Sequence, residues 1–230
     1  MKKMLLEFGG SFGYLLFGAI IQLYVMNFIP NINFILEMFL ISLGYAFSFF
    51  LIYTLCNKVD AVYINPIFSF SDWIRNKINN KNFILISVAQ IFGAIIAGGI
   101  LKVCFNELLP SIILTYGDNS IFNSTIDIVI FMEFLFSLIF CFCYQIMKDK
   151  IKSDMLNNVL LSVLFFALLF FTIPYTGGSV NPIRFLLTNL FVNFDYLRQG
   201  FFYLFSSLGG ALIASIIYHI ISYVKNNDLT

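Results

Sequence analysis

The sequence predicts an all-α membrane protein with six transmembrane helices and two re-entrant half-helices arranged as an inverted repeat. Three observations predict it. The 230 residues are 60% hydrophobic and 19% aromatic against 11% charged, with a mean hydropathy of +0.91, too apolar for a soluble domain. Six apolar runs are each long enough to cross a hydrocarbon layer of roughly 30 Å. Two short stretches, Asn65-Pro66-Ile67 and Asn181-Pro182-Ile183, fall at corresponding places in the two halves, between apolar runs where a polar Asn and a helix-disrupting Pro are unwelcome.

In chain order the first run covers about 4–28; it is too long for the apolar part of a secretory signal and has no small-residue cleavage site, so it is a retained span. A second span follows at about 34–56. The segment at about 65–76 is too short to cross. Asn65 followed by Pro66 reads as a helix start, because the Asn side chain caps free N–H groups and Pro lacks an N–H that would be unpaired there. A third span covers about 83–106. The order then repeats with spans at about 125–147 and 157–173, a half-helix at about 181–193 opened by Asn181 and Pro182, and a last span at about 199–224. Pro174, Gly177 and Gly178 are expected to stop the fifth span. The chain is thus one transmembrane domain, residues 1–230, with repeats of about 1–110 and 120–230. An odd number of spans per repeat turns the halves over relative to each other. Glu7 then matches Glu133, and Gly93-Ala94 with Ala97 matches Gly210-Ala211 with Ala214.

Charge orients this arrangement. With both termini cytoplasmic, the inner segments carry Lys2, Lys3, Lys58, Arg75, Lys77, Lys81, Lys148, Lys150, Lys152 and Lys225, ten of the 13 basic residues. The connections at about 29–33 and 107–124 hold no Lys or Arg. Asn123-Ser124-Thr125 then faces outward as a glycan acceptor tripeptide. A net charge of +1 gives no footprint for nucleic acid. The four cysteines and the single His219 form no metal-ligand or disulfide pattern, and His219 has no carboxylate or nucleophile near it in sequence. No phosphate loop, carboxylate pair or nucleophile elbow is present, so the sequence assigns no catalytic residue, metal or cofactor.

The polar residues within the apolar runs carry the functional reading. Each half-helix start presents a positive dipole end and an Asn amide. With its oxygen engaged in capping, each amide is expected to be free to donate to a water or alcohol oxygen, while the paired dipole ends repel cations; the alternative is two ordinary caps in re-entrant packing elements. Arg184 costs roughly 2.5–3.5 kcal/mol on insertion scales if it lies within the bilayer, which marks either a pathway or a side chain reaching to the outer interface. Glu7 and Glu133 are expected to be buried carboxylates accepting backbone N–H bonds from the loops before the half-helices, with proton relay as the competing role. The 30 phenylalanines read as lipid-facing or interhelical filler.

Laid out this way, the chain resembles the major intrinsic protein family, the aquaporins and aquaglyceroporins, over essentially its whole length. Thr176-Gly177-Gly178-Ser179-Val180-Asn181-Pro182-Ile183-Arg184 is similar to that family's second pore loop, Ala89-Gln90-Ile91-Phe92-Gly93-Ala94 to its third span and Glu7-Phe8-Gly9 to its first. The resemblance implies six tilted helices and two half-helices around one pore per subunit, assembled as a homotetramer. It implies pore contacts from Asn65, Asn181 and Arg184, and an outer filter of Tyr45, Leu169, Gly178 and Arg184. Ile67 and Ile183 replace the family's usual Ala and are expected to constrict the centre beside Pro66 and Pro182. The first loop reads Asp60-Ala61-Val62-Tyr63 where Ser-Gly-Ala-His is usual. Water-selective members carry His at the Leu169 position; glycerol channels favour Gly there and Asp at the Phe185 position. The implied function is a passive, cation-excluding channel for water first and small neutral solutes such as glycerol or ammonia second. A secondary transporter also uses broken helices and inverted repeats, and a closed structural or adhesive membrane protein is the third reading.

Overall fold

The structure, a computed structural model, describes residues 1–112, 114, 124–192 and 194–227. Asn123 of the glycan tripeptide lies outside the described residues. The helices are α1 (Lys2–Phe28), α2 (Phe34–Asn57), α3 (Pro66–Ile74), α4 (Asn80–Phe105), α5 (Ile126–Lys150), α6 (Asp154–Thr176), α7 (Phe185–Val192) and α8 (Phe194–Asn227), with a short 3₁₀ turn at Leu109–Ile112. Six of them are long and apolar enough to cross a membrane. The shortest of the six, α6 with 23 residues, reaches about 35 Å at 1.5 Å per residue. The two short ones, α3 with nine residues and α7 with eight, are the half-helices. The protein is an all-α membrane protein with this six-plus-two order.

Asn residues at the helix starts set several boundaries. Asn33, Asn65 and Asn79 accept backbone N–H bonds from Ile35, Ile67 and Asn82 at 2.8, 3.2 and 2.9 Å, satisfying donors that a helix start leaves unpaired. Two boundaries differ from the sequence expectation. Pro174 does not stop α6, which runs on to Thr176 and ends where Gly177, at φ 75°, donates its N–H to Ile173 O at 2.9 Å. Helix α7 begins at Phe185 rather than at Asn181. Residues 181–184 are a tight turn, closed by Arg184 N–H to Asn181 O at 3.2 Å, and this spacing of three winds more tightly than an α-helix.

Packing repeats like the sequence. Helix α1 lies against α2 and α4, as α5 lies against α6 and α8. The α1–α4 and α5–α8 crossings each carry a matched glycine: a Cβ on Gly93 would stand 2.6 Å from Phe8 O, and one on Gly210 would stand 2.2 Å from Phe134 O. Only glycine permits these backbones to approach so closely. Helices α2 and α6 meet across the two halves, and the half-helices fill the remaining gaps, α3 against α4 and α8, α7 against the same pair. Leu43, Phe47, Phe92, Phe131, Val163 and Phe205 face outward, leaving an apolar exterior fit for lipid.

Candidate functional site: the meeting of the two half-helix loops

Both loops reach their Asn through a β-branched residue in the left-handed region, Ile64 at φ 48° and Val180 at φ 46°. That conformation is strained for a side chain branched at Cβ and persists only where neighbours hold it. A buried carboxylate does so in each half. Glu7 accepts from the N–H groups of Tyr63 at 2.8 Å and Ile64 at 2.9 Å, and from the Gln90 amide at 2.8 Å. Glu133 accepts from the N–H groups of Ser179 at 3.0 Å and Val180 at 2.9 Å, and from the Thr176 hydroxyl at 2.7 Å. Both glutamates are fully buried. Helices α1 and α5 thus hold matching loops by matching means.

The asparagines are brought together. Each side-chain oxygen caps its own turn, Asn65 toward Ile67 N at 3.2 Å and Asn181 toward Ile183 N at 3.0 Å. Asn65 donates its amide to Val180 O at 3.1 Å, across the two halves. Asn181 donates its amide to the hydroxyl of Tyr14 on α1. The expectation that both amides stand wholly free is therefore corrected in part: each NH2 gives one N–H to a protein group and keeps its second, because the two loops pack directly against each other and a phenol lies beside Asn181. Pro66, Ile67, Pro182 and Ile183 are buried around this meeting point.

On the other side of Asn181 lies Arg184, only 3% exposed and turned inward. It donates to Gly177 O at 2.8 Å and to Gln22 Oε1 at 3.0 Å, and its guanidinium stacks 4.2 Å from the Tyr45 ring centroid. This is a cation–π geometry that a planar guanidinium suits well. Tyr45 donates its hydroxyl to the same Gln22 oxygen at 3.1 Å. The ring can lie across α1 because Gly18 has no side chain; a Cβ there would be 2.2 Å from Tyr45 Cδ1. Gly178 sits at φ 69° and donates to the Thr176 hydroxyl at 3.0 Å, while Leu169 on α6 is 1% exposed. Tyr45 and Arg184 are thus joined by Gln22, to which the sequence assigns no role, and Arg184 reaches the loop at Gly177, next to Gly178.

Moving away from Arg184, the space beyond the asparagines is filled by rings. Phe49 follows Tyr45 by one turn on α2, and Phe165 precedes Leu169 by one turn on α6. Tyr14 and Phe140 each stand seven residues beyond their half's glutamate. Phe49 lies 5.8 Å from Tyr14, 5.0 Å from Tyr53, 5.4 Å from Phe165 and 6.2 Å from Phe140, centroid to centroid. Phe140 stacks on Phe165 at 5.2 Å and meets Phe68, which in turn stacks on Tyr144 at 4.0 Å. These spacings are those of rings in direct contact. The column ends at a charged cluster. Tyr63 donates its hydroxyl to Asp72 at 2.9 Å; Lys148 stands 3.8 Å from the same carboxylate and donates to the Tyr144 hydroxyl at 2.9 Å.

Comparison with known proteins is consistent along the chain. The family model described as major intrinsic protein matches residues 1–218. Mouse (Mus musculus) aquaporin-4 is 26% identical over 157 residues, covering 64% of this chain; the chain spans about half that relative's length, 46%. The X-ray structure of the aquaglyceroporin from Plasmodium falciparum superposes with a TM-score of 0.80 over 94% of both chains at 15% identity, which shows a shared fold. With a family match from the first residue through nearly the last helix, on a fold of six spans and two converging half-helices, this chain belongs to the major intrinsic protein family.

Proposed function

We propose that the protein is a passive membrane channel for water, and secondarily for small neutral solutes such as glycerol or ammonia, that excludes cations and protons. As a member of its family it is a channel rather than an enzyme. The observation that carries the reading is the convergence of Asn65 and Asn181, joined through the Asn65 amide and Val180 O, with Arg184 held on the same side as Tyr45. Two helix starts aimed at one point present positive dipole ends, and the guanidinium adds a full charge; both oppose a cation while still offering N–H donors to a neutral oxygen. In this reading Tyr45, Leu169, Gly178 and Arg184 form the outer filter, Asn65 and Asn181 the central contact, and Ile67, Ile183, Pro66 and Pro182 its walls. Glu7 and Glu133 hold the loops rather than carry protons, since each already accepts three hydrogen bonds. The ten-of-13 distribution of basic residues supports cytoplasmic termini. The family resemblance supports a homotetramer.

The test is an osmotic step on proteoliposomes. Purified protein should speed shrinkage over empty vesicles, and Arg184→Ala should raise glycerol or proton flux relative to water. No acceleration by the wild type or by any pore variant removes the channel reading; an unchanged selectivity in Arg184→Ala removes Arg184 from the route. The engaged Asn amides and the packed rings below them favour one second reading, a closed membrane protein with a structural role, which predicts no flux in every case.

A further inference from the structure

We propose that Tyr14 and Phe49, rather than the ring of residues around Arg184, decide what crosses this protein. The inference rests on the channel reading and locates its narrowest point. A route that passes Arg184 and the two asparagines must continue along the same faces of α2 and α6 that carry Tyr45 and Leu169. One turn onward those faces present Phe49 and Phe165. Helix α1 contributes Tyr14 at the same level, its hydroxyl on the Asn181 amide and its ring edge-on to Phe49.

Phe49 is the centre of this layer. It touches rings from α1, from α5, from α6 and from its own next turn, with centroids no more than 6.2 Å apart, and is 1% exposed. Tyr14 and Phe165 are equally enclosed, at 1% and 2%. Four helices thus send rings to one cross-section, and apolar constrictions of this kind gate by excluding water. The wall near Arg184 differs in kind. It holds a guanidinium, a phenol hydroxyl and the Gln22 amide, groups that bind water. The polar end is walled by N–H and O–H groups; the ring layer is walled by Tyr14, Phe49, Phe140 and Phe165, whose one hydroxyl accepts from the Asn181 amide and leaves a single O–H among apolar ring faces. Selection by size and wetting therefore falls to Tyr14 and Phe49.

The experiment compares stopped-flow water and glycerol permeability of wild-type proteoliposomes with Tyr14→Ala, Phe49→Ala, Phe49→Leu and Tyr14→Phe, each checked for a monodisperse elution profile at equal protein density. The expected result is a rise of at least five-fold in water permeability for either alanine variant, with glycerol permeability rising from a lower base. Phe49→Leu should give a smaller rise and guards against misfolding of the alanine form. Tyr14→Phe, which frees the Asn181 amide but keeps the ring, should rise at most two-fold. If folded Phe49→Leu, Tyr14→Ala and Phe49→Ala all keep the wild-type rate, the proposal is overturned. The channel reading then survives if the wild type exceeds empty vesicles and falls if it does not, so the two failures are told apart.

Discussion

Ile64 and Val180 are residues that should resist the backbone they adopt. A β-branched side chain at positive φ costs on the order of 1–3 kcal/mol, and the chain spends this twice, at 48° and 46°. Charge-assisted hydrogen bonds from a carboxylate to backbone N–H are worth about 1.5–3 kcal/mol each, so the pair that Glu133 makes with Ser179 and Val180 outweighs the strain. Replacing Glu133 by Gln leaves one acceptor oxygen and turns an NH2 group toward a backbone donor. Glu133→Gln should lose about 2–3 kcal/mol, seen as a fall in Tm of about 5 °C or more in detergent, and Glu7→Gln should lose a similar amount. An unchanged Tm would mean that water or other groups replace the carboxylate. The two glutamates are legible in the sequence because a charge in an apolar run is rare. The left-handed Ile64 and Val180 are not, since nothing in their local sequence asks for positive φ. Phe49, Phe140 and Phe165 are hidden for the opposite reason: among 30 phenylalanines a single ring at helical spacing carries no signal.

At the scale of helices, α5 is tied to the α3 region by two kinds of ion pair of unequal weight. Arg75 and Lys77 reach Asp149 at 2.8 and 2.9 Å, but the Lys77 and Asp149 side chains are 37% and 30% exposed. A pair as open to solvent as Lys77 with Asp149 is worth about 0–1 kcal/mol. Lys148 is different because its partner Asp72 is only 3% exposed, so removing the lysine strands a buried carboxylate with one phenol. Lys148→Met should therefore cost about 1–3 kcal/mol, and Lys77→Met less than about 1 kcal/mol, as measured by parallel thermal melts. Equal losses would show that the burial of Asp72 adds nothing to its pairing with Lys148. Most helices are readable from apolar length alone, but their facing is not. Their outer faces are apolar, and the inward face is marked only by scattered polar side chains such as Ser11, Gln22, Gln90, Ser137 and Gln145 and by glycine, too few in each run to fix its facing. Nor does the sequence show that α7 starts late, at Phe185: after Asn181 the three-residue spacing continues, with Leu186 N–H on Ile183 O and Leu187 N–H on Arg184 O, both at 3.0 Å, before regular helix sets in.

For the whole molecule, the halves are held by lateral packing of α2 on α6 and by the bond from Asn65 to Val180 at its centre. The second half likewise leans on the first through Arg184 to Gln22 and Asn181 to Tyr14. The overall plan was legible because its two Asn-Pro pairs recur in register. The bonding of those amides was not, because it depends on Val180 O for Asn65 and on the Tyr14 hydroxyl for Asn181, partners remote in sequence from the residues they serve. A chain divided between Ile112 and Ser124 should yield fragments that are degraded when made singly and that co-purify when made together. Recovery of either fragment alone in stable form would contradict this.

The seam from Asn65 to Val180 has a consequence for tolerance to change. The first half's loop finishes its hydrogen bonding on the second's backbone, and the second half's loop on the Tyr14 hydroxyl of α1, so a mutation that shifts one loop is felt across the junction. The two isoleucines that follow the Asn-Pro pairs, at 67 and 183, are both buried beside this junction, so a bulkier side chain at either would press on both loops at once.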